Sequence, residues 1–162
     1  MSLGDTADLL EKLIETRRAT RALLNDVDPE MRVYTDPEWR IRDILGHIAT
    51  WDRQVAKSLR AFRAGTEFFI PDIEEDESAY NEQAVEEQRT FSTQQIFVEW
   101  EQAHDDLREA IREIPSDQFP GDLLYPWGGE RGSIAKLIDY MIDHEDEHRD
   151  EIEKAIKASA EN

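Results

Sequence analysis

No cysteine occurs among the 162 residues. Disulfides, zinc knuckles, iron–sulfur clusters and a protein thiol nucleophile are thereby excluded, so a metal would have to be held by imidazole and carboxylate. A thiol in the chemistry would have to come from a cosubstrate. Basic residues are scarce as well: 19 Lys and Arg stand against 38 Asp and Glu, a formal net charge of −19. That balance repels a phosphate backbone and anionic lipid alike, and no local basic patch offsets it, which argues against nucleic acid or a membrane surface as a partner. No apolar run approaches the roughly 20 residues of a membrane span. The start, Met1-Ser2-Leu3-Gly4, has neither the basic nor the apolar segment of a leader, so a cytoplasmic protein is expected. The sequence also shows no convincing strand alternation.

What is present is helical periodicity. Leu9, Leu10, Leu13, Ile14, Leu23 and Leu24 predict a first helix over about 5–27, with Asp5 as N-cap. A polar stretch holding Pro29 and Pro37 breaks the pattern. Ile41, Ile44, Leu45, Ile48, Trp51, Val55, Leu59 and Phe62 then predict a second helix over about 40–64. Residues 65–91 are less regular and contain the acidic run from Asp72 to Glu77, read as solvated loop. A connection this long is expected to be a crossover with some helix near 80–89, joining helices that need not be antiparallel neighbours. Ser92 with Gln95 three residues on is a capping box for a third helix ending at Pro115. A turn-rich loop carrying Trp127 follows, and Ser133 opens a fourth helix with the stripe Ile134, Leu137, Ile138, Met141, His148, Ile152 and Ile156. These elements predict an all-α, single-domain four-helix bundle with flexible ends at 1–4 and 158–162.

Several polar residues interrupt these stripes. His144 and His148 stand i, i+4 on one helix face, and a third imidazole from another helix would complete a facial site for a divalent cation. At about 100° per residue, His148 falls inside the stripe of the last helix and His144 at its edge. His47 lies at the border of the second helix's stripe and, by itself, says little. Asp52 and Glu145 project near the middle of their stripes. Each is a candidate proton acceptor, fourth metal ligand or orienting partner of a ligand, or else pairs with an arginine such as Arg149 or snorkels to the surface at a bundle end. Glu101 and His104, with Glu145 and His148, repeat the E-x-x-H spacing of di-iron bundles. Glu101, however, projects away from its seam, so His104 is expected at the boundary or surface.

The segment Trp39-Arg40-Ile41-Arg42-Asp43-Ile44-Leu45-Gly46-His47-Ile48-Ala49-Thr50-Trp51, with His144-Glu145-Asp146-Glu147-His148-Arg149-Asp150-Glu151-Ile152, resembles the DinB/YfiT-like superfamily of metalloenzymes over essentially the whole chain. The resemblance implies a four-helix bundle with an extended connection after helix two. It also implies a divalent metal held by one histidine of that helix and an H-x-x-x-H pair in the last, which makes His47, His144 and His148 the ligands. Tyr80-Asn81-Glu82, the segment from Ser92 to Leu107 and the Trp127-Gly128-Gly129 loop are similar to the ClbS/DfsB-like branch. Superfamily members include transferases and isomerases that use low-molecular-weight thiols, and hydrolases. This chain departs from the pattern at Arg40, where Ser or Thr often caps the helix, and at Glu145-Asp146-Glu147, where the motif is often basic or histidine-rich. The acidic triplet favours a cation and disfavours an anionic substrate or thiolate.

The sequence thus predicts a zinc- or nickel-dependent hydrolase or thiol-dependent transferase acting on a small molecule. Trp51 and Trp127 are its candidate substrate contacts, and Glu145 and Asp52 its candidate catalytic groups. Two alternatives stay open: a non-catalytic or stress-associated module that sequesters a small molecule in an apolar end pocket, and a homodimeric structural bundle whose histidines fill the core.

Overall fold

The computed structural model describes residues 3–71, 73 and 76–161. Five helices carry the chain: α1 (Leu3–Leu23), α2 (Ile41–Ala64), α3 (Glu77–Gln88), α4 (Thr93–Arg112) and α5 (Ile134–Ala160). Between them lie two antiparallel hairpins, β1 (Arg32–Thr35) with β2 (Glu38–Arg40), and β3 (Asp122–Leu124) with β4 (Arg131–Ser133). These hairpins correct the strand-free expectation. Strands of three or four residues are too short for alternation to register. The first helix begins at Leu3, ahead of the expected cap Asp5, and α5 keeps its helical backbone through Ala160. Of the segments expected to be loop or flexible end, Met1, Ser2, Asp72, Glu74, Glu75 and Asn162 lie outside the described residues.

The local signals behave as their chemistry requires. The Ser92 hydroxyl accepts from the Gln95 amide at 3.1 Å, and the Gln95 side chain accepts from the Ser92 amide at 2.7 Å. Ser133 caps α5 through the Lys136 amide at 3.1 Å. At the start of α2, Arg40 offers no accepting oxygen. Asp43 compensates by taking the Arg40 amide at 2.8 Å and placing a carboxylate in the first turn. Gly65 ends α2 in the left-handed region, φ 78°, which a residue with Cβ adopts at a cost.

The long crossover through α3 lets α4 return parallel to α2: Arg53 meets Glu99, Arg60 meets Asp106 and Arg63 meets Glu113 in step along the two helices. α1 runs parallel to α5, since Leu9 and Leu13 share one apolar cluster with Leu137 and Met141 while Leu24, just past the end of α1, shares the other with Ile152. The apolar interior divides into two clusters. One holds Leu9, Leu13, Trp51, Leu59, Leu107, Ile111, Ile134 and Leu137; the other holds Leu24, Trp39, Ile44, Ile48, Ile96, Trp100 and Ile152. Each of the four long helices contributes to both clusters. Where its two contributions meet, each carries polar side chains: Arg17 on α1, His47 and Asp52 flanking the junction on α2, His104 on α4, and His144, Glu145 and His148 on α5. A polar layer therefore crosses the bundle at mid-height.

Candidate metal centre

Within that layer the Nε2 atom of His144 lies 3.0 Å from Nε2 of His47 and 3.1 Å from Nε2 of His148. The three rings meet edge to face, with centroids 4.6–4.9 Å apart. One ligand atom from each forms a group that lies within 4.8 Å, the one such cluster of histidine and acidic side chains among the described residues. Three nitrogens bound to one ion at about 2.0–2.1 Å stand about 2.9 Å apart at right angles and about 3.4 Å apart at the tetrahedral angle. The two separations to His144 fall in that interval, and the third pair of ligand atoms lies within 4.8 Å. Three converging nitrogens cannot all be satisfied by hydrogen bonds to one another, whereas a cation satisfies all three lone pairs. Neutral imidazole is the protonation state a cation needs. Burial together with the neighbouring imidazoles holds His47 down at about 2, burial and His148 bring His144 to about 4, and burial lowers His148 as well. The donor set fits a divalent transition metal.

The tautomer of His148 is fixed from outside the cluster. Its Nδ1 lies 3.0 Å from the Tyr34 hydroxyl and 2.9 Å from Glu151 Oε1. Tyr34 donates its own proton to Glu151 at 2.7 Å, so its oxygen accepts from Nδ1–H, and the lone pair of His148 is left on Nε2. Tyr34 sits on β1 directly opposite Trp39 on β2, just past a register shift that follows Arg32. Trp39 in turn packs on His47, ring centroids 5.1 Å apart. The small hairpin thus orients two of the three histidines. Sequence reasoning missed it, although the residue pair Tyr34 and Trp39 flanking Asp36-Pro37 was a usable turn signal.

Asp52 and Glu145 are buried as their stripe positions predicted, 3% exposed each. They meet at Arg17, which is 1% exposed. The Arg17 guanidinium donates to Glu145 through Nε at 2.9 Å and Nη2 at 2.8 Å, to Asp52 through Nη2 at 3.2 Å, and to the Trp100 carbonyl through Nη1 at 2.9 Å. Its Cζ stands 4.0 Å from the Trp100 ring centroid. Burial opposes the charge, but the Glu145 hydrogen bond and the charges of Glu145, Asp52 and Glu101 outweigh it, so the Arg17 pKa is raised. Arg149, the partner suggested by sequence, instead donates to the Thr16 carbonyl at 2.9 Å and to Asp146 at 2.7 Å. Arg17 was detectable: it stands i+4 from Leu13 and three residues before Thr20, in the gap of α1's apolar stripe.

His104 corrects the boundary placement, being only 3% exposed. Neither ring nitrogen has a hydrogen-bond partner, and Nδ1 lies 3.8 Å from Asp52 Oδ2. α4 packs against α1 as well as α2, so its buried face is wider than the seam counted from its apolar residues. Glu101 is on the outer side as expected, where Arg21 holds it at 2.7 Å.

A cavity of about 580 Å³ opens beside His47 and His144. Trp51 and Trp127 line it, ring centroids 6.2 Å apart, together with Tyr140. Trp127 is carried by the β3–β4 loop, where Gly128 and Gly129 both have positive φ, near 70°. Neither Asp52 nor Glu145 lines this cavity; both lie on the far side of the histidines, at Arg17.

The bundle and its histidine cluster define a DinB/YfiT-like protein. Residues 10–128 match the mycothiol maleylpyruvate isomerase N-terminal domain, and the chain belongs to that family within the superfamily. Solved structures agree on the fold. An uncharacterised protein from Escherichia coli UTI89 superposes with a TM-score of 0.77 at 14% identity, covering 96% of this chain and 94% of that one. One from Clostridium difficile 630 gives 0.77 at 14%, covering 97% and 98%. The mycothiol-dependent maleylpyruvate isomerase gives 0.68 at 16%, covering 93% of this chain and 63% of its own. No curated protein matches the chain by sequence. No helix among the described residues is long and apolar enough to cross a membrane.

Proposed function

We propose that the protein is a divalent-metal-dependent enzyme that transforms a small molecule in the cavity beside His47 and His144. The observation that carries this is the placement of His144 Nε2 3.0 Å from Nε2 of His47 and 3.1 Å from Nε2 of His148, with the His148 lone pair directed inward by Tyr34 and Glu151. Zinc or nickel suits a donor set of three neutral imidazoles, and His47, His144 and His148 would hold it. Bound there, the cation supplies Lewis acidity toward a water, a thiol or a substrate carbonyl. The chain's own residues prepare the place: Tyr34, Glu151 and Trp39 fix ring orientations, and Trp51 and Trp127 wall the cavity. Asp52 and Glu145 act from behind, sharing the single guanidinium of Arg17. Asp52 favours positive charge at His144, and Glu145 favours it at His148.

The family supports a low-molecular-weight thiol as cosubstrate, since the chain has no cysteine of its own. Thermal denaturation of tag-free protein with chelator, zinc or nickel, each with and without an added thiol, tests the reading. A rise in Tm with metal that is lost in His148→Ala is expected. A protein indifferent to metal overturns it, and a shift given by small organic ligands alone would favour a sequestering module.

A further inference from the structure

The cavity beside the histidines has a composition of its own. Four of its lining residues are carboxylates, Glu77, Glu130, Asp143 and Glu147, and none is lysine or arginine. Glu130 is engaged: it accepts from Trp127 Nε1 at 2.9 Å and the Tyr140 hydroxyl at 3.0 Å, and Lys136 Nζ stands 3.5 Å away and 5.4 Å from the Tyr140 ring centroid, so that ring already has a cation. The other ion pairs nearby join Arg149 to Asp146 and His148 to Glu151. Among the described residues Glu77, Asp143 and Glu147 have no cationic partner.

The aromatic wall complements this charge. Trp51 gives its indole N–H to Asn81 at 2.8 Å, Trp127 gives its indole N–H to Glu130, and Tyr140 gives its hydroxyl hydrogen to Glu130. Their donors being spent within the wall, what these side chains present to a ligand is ring. The rings are mutually inclined, Trp51 to Trp127 at 63° and Trp127 to Tyr140 at 63°, with centroids 6.2 and 5.7 Å apart. Inclined ring faces held by fixed hydrogen bonds, beside carboxylates without counter-ions, are the arrangement that attracts an organic ammonium group. The same surface repels a dicarboxylate.

We propose that the cavity selects small molecules bearing a cationic, alkylated nitrogen, with the ammonium against Trp51 and Trp127 and its charge answered by Asp143 and Glu147. The proposal rests on the reading of the cavity as the substrate site and extends it to a substrate class.

Tryptophan fluorescence titration of the metal-free protein tests this, with choline, its uncharged carbon analogue 3,3-dimethylbutan-1-ol, and maleate as probes, and zinc uptake is measured separately. Choline is expected to bind at least about ten-fold more tightly than the alcohol, with maleate weakest. In Asp143→Asn/Glu147→Gln the choline affinity falls about five-fold or more while that for the alcohol stays put, which shows an intact cavity. Equal binding of choline and the alcohol, or tighter binding of maleate, overturns the proposal. Choline selectivity in a protein that takes up no zinc would leave the cation site standing and remove the metal reading, and zinc uptake without choline selectivity would do the reverse.

Discussion

The Tyr34 hydroxyl lies 3.0 Å from Nδ1 of His148 and donates its hydrogen bond to Glu151 at 2.7 Å. One residue of a four-residue strand thereby sets which nitrogen of a helical histidine faces the cluster. Outer partners of this kind typically contribute about 10–100-fold in metal affinity. Because Glu151 also approaches Nδ1, at 2.9 Å, Tyr34→Phe should retain the fold and weaken zinc binding by about ten-fold, at the lower end of that range. Competition against a chromophoric chelator measures it, and an unchanged affinity would remove Tyr34 from the account.

Arg17 is the hub of the buried charge. Removing one partner of a buried ionic network leaves the remaining charges uncompensated, at a cost of about 3–5 kcal/mol. Arg17→Met keeps the stem and deletes the fork, stranding Asp52 and Glu145 at 3% exposure. Urea unfolding should show a loss in that range. A loss below about 1 kcal/mol would mean that water reaches these carboxylates.

The histidines make stability depend on pH in a definite direction. In the unfolded chain each titrates near about 6.5. In the folded protein His47 is held at about 2 and His144 at about 4, both by burial first and by neighbouring imidazoles second, and burial lowers His148. Below pH 6.5 the unfolded state therefore takes up protons that the folded metal-free state refuses, so stability falls as pH drops from about 6.5 toward 4. Each fully refused proton costs about 1.4 kcal/mol per pH unit. Urea unfolding at pH 7, 6 and 5 should show the decline, and a flat profile over that span would contradict the buried neutral state.

Much of this was legible in the sequence, for identifiable reasons. The capping box Ser92–Gln95, the cap Ser133 and the apolar stripes carry local information, and the helices they announce are present. The polar interruptions of the stripes, Asp52 and Glu145 above all, marked the buried layer. Their partner was not legible as a pair because Arg17 is 35 residues from Asp52 and 128 from Glu145. Only the topology joins them. The same holds for Tyr34, 114 residues from His148 and borne on a hairpin too short to announce itself by periodicity. His104 was misplaced because a helix with two packed neighbours buries more than its apolar seam.

The central claim is that His47, His144 and His148 hold one divalent cation, and metal content tests it most directly. Elemental analysis of protein purified without a histidine tag should give about one equivalent of zinc or nickel per chain, falling to near zero in a folded His148→Ala variant. Wild-type protein that stays metal-free after exposure to zinc and nickel, or a His148→Ala variant that retains a full equivalent, would contradict it.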